Sequence, residues 1–269
     1  MNVPQFETKE QLFAHLRANK NIYLTAKKAM LKCADAVECH TFTEQGETVV
    51  KAAVNPDAIN MDSFQVLAAI NTTNIMDSHD DVHFPGLWSK SLKENKLIYH
   101  LQEHQMSFKS IISDDVKATA KKMNWSDLGY PYEGQTEVLL FNSKVSKDRN
   151  EYMAEQYAKG RVKNHSVGMR YVKIDLAMNS ESPADAKEKA VWDKYINKIA
   201  NKDHALELGY FWAVTEAKVI EGSAVPLGSN FATPTISVGE PVKATPKMEP
   251  PQGTHKSLAD IIFINKKIN

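Results

Sequence analysis

The chain is poor in cysteine, in net charge and in long apolar runs. Two cysteines, Cys33 and Cys39, among 269 residues do not make a disulfide scaffold, although their close spacing permits a bridge, and a reducing cytoplasm is the expected setting. The 33 basic side chains balance 33 acidic ones, so no global field exists to hold a polyanion, and nucleic acid is not expected as a partner. No apolar run reaches the ~18 residues of a membrane span. The opening segment MNVPQFETKEQLFAHLRANK is charged throughout and has no apolar signal core, so neither secretion nor membrane insertion is expected. No internal repeat is apparent.

What is present suffices for one sizeable core: 42% of the residues are hydrophobic and 25% charged. Phe6, Leu12, Phe13 and Leu16 recur at helical spacing within residues 5–20 and predict an amphipathic helix docked on the body. From Ile22 to about Thr73, short β-prone runs (IYLTA, TVVKAAV, FQVLAAINTT) predict strands, with a turn at Asn55-Pro56-Asp57. Leu87–Glu94 has helical spacing. KLIYHLQEH, FKSIISDDVKATAKKM and EVLLFNSKV then read as strands, giving a predominantly β middle. KDRNEYMAEQYAK predicts a helix closed by Gly160, followed by the strand HSVGMRYVKI. Residues 178–208, with the helical ADAKEKAVWDKYINKIA, read as an insertion before a last strand, LGYFWAVTEAKVI, which ends near Ile220 in turn residues. From Val238 the composition shifts to Pro, Lys and Glu, predicting a main domain over 1–237 and a linker with a disordered tail over 238–269. Within that tail, SLADIIFINKKIN has the composition of a docking peptide.

Two other features bear on chemistry. His79-Asp80-Asp81-Val82-His83 contains metal-ligand residue types, and a metal-dependent hydrolase using His79, Asp81 and His83 is one rival expectation; the spacing fits a solvated turn better. The aromatic residues at 125, 130, 132, 192, 195 and 210–212 lack interleaved basic residues, which favours packing over base stacking.

Four segments in order carry a resemblance: NIMDSHDDVHFPGLWSKSLKEN (74–95), IYHLQEHQ (98–105), EYMAEQYAKGRVKNHSVGMRY (151–171) and AVTEAKVIEGSAVPLGSN (213–230). Together, over roughly residues 60–232, they resemble the prohead proteases of tailed phages, relatives in fold of the herpesvirus assemblins. The resemblance implies a mixed α/β fold with a mainly antiparallel, barrel-like β core wrapped by helices. It also implies a serine endopeptidase that needs no cofactor or metal. Ser166, two residues before Gly168, takes the nucleophile position; His104 takes that of the base; Glu221 is the third member. The implied substrates are scaffold protein and capsid-protein propeptides within the immature capsid in the host cytoplasm, with self-cleavage and room for a homo-oligomer. The same fold without catalysis, as an assembly or scaffold protein, is the alternative.

The residue types suit that role. A serine hydroxyl needs a base within hydrogen-bond reach, and the base needs a third group to fix its tautomer. On a continuous strand His100 shares the parity of His104, so alternation alone leaves both open; His165 adjoins Ser166 and points the other way. Glu216 and Asp175 compete with Glu221, Glu216 falling on the opposite side of an uninterrupted strand, and His204 is a more distant candidate. Gly168 would let backbone approach the nucleophile, and Arg170 shares the parity of Ser166 and would add positive charge.

Overall fold

A computed structural model describes residues 3–31, 52–95 and 97–240. Cys33, Cys39, the TVVK part of the expected strand and the tail from 241 onward lie outside the described residues. The chain is a mixed α/β protein. In order, its elements are α1 (Lys9–Ala29), β1 (Ala53–Val54), β2 (Ser63–Thr72), β3 (Asp81–His83), α2 (Ser89–Glu94), β4 (Tyr99–Gln102), β5 (Ile111–Ser113), β6 (Val116–Asn124), β7 (Gln135–Ser146), α3 (Lys147–Ala158), β8 (Asn164–Met178), α4 (Ala186–Tyr195), α5 (Lys202–Leu208), β9 (Tyr210–Val225) and β10 (Thr235–Glu240). One sheet has the order β1-β10-β2-β7-β6; the other has β3-β9-β4-β5, with β8 also paired to β9. Antiparallel pairings outnumber parallel ones, as expected, but the sheets do not close into a barrel. Phe64, Val66, Leu139 and Phe141 of the first sheet and Met169, Tyr171, Trp212 and Val219 of the second meet in one apolar core. No helix among the described residues is long and apolar enough to cross a membrane.

Several local expectations change for identifiable reasons. IYLTA is not a strand: α1 continues through it, because Phe13, Leu16, Tyr23 and Lys27 recur at three to four residues or their multiples and so bury one stripe. FKSIISDDVKATAKKM is two strands. The chain crosses from one sheet to the other at Asp114-Asp115, where the Ser113 hydroxyl accepts from the Asp115 N–H at 3.2 Å and donates to its carbonyl at 3.0 Å. In the 147–158 helix, Asn150 has extended backbone and its side chain accepts from Met153 N–H at 3.1 Å; Gly160, at φ 62°, follows the C-cap. The segment 178–208 does lie between β8 and β9, as two α-helices and two short 3-10 turns, and Arg17 of α1 clamps it through Asp185 at 2.6 and 2.7 Å. β9 does not stop at Ile220 but runs to Val225, and Val238 is a buried residue of β10 instead of the first residue of a linker.

Candidate active site

β8 and β9 pair antiparallel with Ser166 opposite Ser223 and Gly168 opposite Glu221. Residues directly opposite each other across an antiparallel pair project from the same face, with Cβ atoms ~5 Å apart. The side chains of Ser166, Ser223 and Glu221 therefore rise from one face of the sheet. Val167 and Gly222, one position along, face the core, where a Cβ on Gly222 would lie 2.5 Å from the Phe141 ring.

β4 runs parallel to β9 on its other side and ends at Gln102. The next two residues, Glu103 and His104, have φ of 52° and 57°, and the Gln105 N–H donates to Gln102 C=O at 3.0 Å. Positive φ at both central positions of such a turn is the type I′ pattern, usually filled by Asn, Asp or Gly. Left-handed backbone costs a non-glycine residue roughly 1–2 kcal/mol, so this turn is held by its surroundings. Two bonds hold it: Glu103 N–H donates to Ala224 C=O at 3.0 Å, and His104 N–H donates to the Ser223 hydroxyl at 3.1 Å.

The turn lays His104 over the carboxylate. His104 Nδ1 is 2.6 Å from Glu221 Oε1, with side-chain exposures of 9% and 1%. A carboxylate facing Nδ1 fixes the proton there and leaves Nε2 as the basic nitrogen, the tautomer a general base requires. The second carboxylate oxygen accepts from the Ser223 hydroxyl at 2.6 Å. Gly168 makes room for this group: a Cβ there would lie 1.9 Å from Glu221 Oε1. The glycine two residues after Ser166 thus admits the carboxylate. Ser166 retains 6% exposure.

The three expected residues are thereby brought to one sheet face, and the competing candidates are taken up elsewhere. The turn breaks the strand alternation before His104, and His100 stands opposite Gly222 and faces the core with it. Its Nδ1 lies 2.9 Å from Ser143 Oγ and its Nε2 3.0 Å from the Tyr157 hydroxyl, which also lies 2.9 Å from His165 Nε2. His165 Nδ1 is 3.1 Å from Thr233 C=O. A carbonyl only accepts, so His165 carries its proton on Nδ1, Tyr157 donates to His165 Nε2, His100 Nε2–H donates to Tyr157, and Ser143 donates to His100 Nδ1. Burial holds both imidazoles neutral: it lowers His100 well below its ordinary value, helped by the nearby His165, and lowers His165 to about 4. Glu216 is excluded for a different reason from the one the sequence suggests. An extra residue in β9, Ile220, interrupts the alternation, and Glu216 is ion-paired to Lys173 at 2.5 Å. Asp175 stands opposite Ala213, and His204 Nε2 lies 3.9 Å from Asp80, both away from Glu221. Arg170 is exposed opposite Lys218.

Of the metal-ligand candidates, Asp81 is buried between Lys27 Nζ at 2.5 Å and the Tyr171 hydroxyl at 2.8 Å, and His83 Nε2 lies 2.9 Å from that same hydroxyl. Among the described residues no group of three potential ligands forms a metal site. A small depression beside β8 reaches Ser166, Val167, Met169 and Tyr171 but neither His104 nor Glu221. The sequence reading missed Ser223. Its only signal was a small polar residue two positions after the expected carboxylate, the spacing that repeats a strand face. In comparison with known proteins, no family model, curated protein or solved structure matches the chain.

Proposed function

We propose that this protein is a serine endopeptidase of the prohead-protease type, with the open two-sheet core a variant of the herpesvirus-protease architecture. The observation that carries this reading is the 2.6 Å contact of His104 Nδ1 with Glu221, made on the sheet face from which Ser166 also projects. A strained turn and a glycine without room for a Cβ both serve that contact, and neither helps the core.

In the proposed reaction His104 Nε2 takes the Ser166 hydroxyl proton as Oγ attacks the scissile carbonyl carbon. Collapse of the tetrahedral intermediate breaks the C–N bond, and His104 returns the proton to the leaving amine. Water, deprotonated by the same nitrogen, then cleaves the acyl ester and regenerates Ser166. Glu221 holds the Nδ1 proton and stabilises the imidazolium. The substrates in this reading are scaffold protein and capsid-protein propeptides inside the immature shell, with the chain's own 238–269 segment as a docking or self-cleavage region.

Mass spectrometry of the expressed chain tests it. Wild type should yield time-dependent fragments and a single fluorophosphonate adduct on Ser166, while Ser166→Ala stays intact and unlabelled. Identical fragments from both proteins, or an intact and unlabelled wild type, would overturn the endopeptidase and leave an assembly protein of the same fold.

A further inference from the structure

We infer that Ser223 is a positioning residue of this site, a peg that sets the plane of the Glu221 carboxylate and the turn carrying His104; the inference rests on the endopeptidase reading above. Ser223 is fully buried, and its hydroxyl has two partners. It donates to Glu221 Oε2 at 2.6 Å and accepts from His104 N–H at 3.1 Å. A hydroxyl has one proton and two lone pairs, so one oxygen serves both contacts at once, and a methyl group serves neither. A carboxylate anchored at only one oxygen swings about its Cγ–Cδ bond. With Oε1 facing His104 Nδ1 and Oε2 facing Ser223, that swing is blocked and the acceptor stays in line with the imidazole. The second contact acts on the same geometry from the other side, since the left-handed backbone at residue 104 is pinned through the amide that Ser223 accepts. Ser223 stands directly opposite Ser166, but its proton is committed to the carboxylate; it orients the site and is not a second nucleophile.

The experiment compares wild type with Ser223→Ala, a one-atom deletion that leaves the strand pairing intact. The rate of Ser166 labelling by a fluorophosphonate is read by intact mass well below the melting temperature. In parallel, the low-field Nδ1 proton of His104 is followed by NMR on histidine-labelled protein. Loss of a hydrogen bond to a charged group predicts labelling slowed about tenfold or more and loss of the Nδ1 resonance through exchange. Labelling within about twofold of wild type with the resonance retained overturns the inference, and so does a lowered melting temperature with unchanged labelling, which marks a purely structural serine. A wild type that is never labelled at Ser166 refutes the endopeptidase. The NMR arm still decides the role of Ser223 in that case: a resonance lost in Ser223→Ala supports the peg, and one that persists overturns it.

Discussion

His100 and His104 lie four residues apart on one segment and belong to two regions built on opposite principles. Behind the sheet, His100 and His165 share the Tyr157 hydroxyl in a closed chain of neutral groups running from Ser143 to the Thr233 carbonyl, and every polar atom in it is used. In front, His104 sits on a strained turn with its Nδ1 2.6 Å from the Glu221 carboxylate. The rear region resists change because each donor has one acceptor. The front region keeps two residues at positive φ beside the contact of His104 with Glu221. The same residue type thus joins a neutral hydrogen-bonded chain behind the sheet and faces a carboxylate in front of it.

The sharpest way to break this contrast uses two glycines on neighbouring strands. Gly168 faces the front, and a methyl group there displaces the Glu221 carboxylate; Gly222 faces the core, and a methyl group there meets the Phe141 ring at 2.5 Å and Ile70 at 2.9 Å. Gly168→Ala should slow Ser166 labelling about a thousandfold or more, because the tautomer-fixing carboxylate is lost. Gly222→Ala should instead cost ~1–3 kcal/mol of stability by overpacking, with the labelling rate of the folded fraction kept. Labelling kinetics and denaturant unfolding on both variants separate the outcomes. If Gly168→Ala labels at the wild-type rate, Glu221 does not serve His104.

Acid should find the rear region first. His165 binds its proton near the ordinary 6.5 when unfolded and only at about 4 when folded, because burial penalises the charged ring. Between those values the unfolded chain holds the extra proton, so stability is complete above about pH 6.5 and declines as pH falls toward 4. His165 alone accounts for a loss on the order of 3 kcal/mol, and His100, shifted the same way, adds to it. Urea midpoints taken between about pH 7 and 4.5 measure the slope, and His165→Gln should flatten it. Equal midpoints across that range would mean that the two imidazoles are not held neutral.

The front region was the more legible in sequence. Ser166, His104 and Glu221 stand in ordered motifs, and the Ser-x-Gly spacing places Ser166 and the carboxylate's clearance on one strand face. What escaped depended on contacts far apart in the chain. Parity on a continuous strand left His100 and His104 equal, since Glu-His is a poor I′ sequence and no Asn-Gly marks the turn. The exclusion of Glu216 rested on an alternation that Ile220 interrupts. IYLTA looked β-prone because propensity counts residues one by one, while the stripe from Phe13 to Lys27 decides the helix. Val238 sits in Pro- and Lys-rich surroundings, yet it pairs with Val54 and Val66 and is buried.

The smallest expected effect tests the strain itself. Glu103 occupies φ 52°, and its N–H, which donates to Ala224 C=O of β9, belongs to the backbone and survives substitution. Glu103→Gly removes a left-handed penalty of roughly 1–2 kcal/mol but adds about 0.4–1 kcal/mol of entropy to the unfolded chain. The net expectation is a gain of about 0.5 kcal/mol in urea unfolding, with Ser166 labelling unchanged because the Ala224 and Ser223 anchors remain. A loss of stability instead would show that the Glu103 side chain supports the turn. A gain accompanied by slower labelling would show that the strained backbone, and not only its two anchors, aims His104.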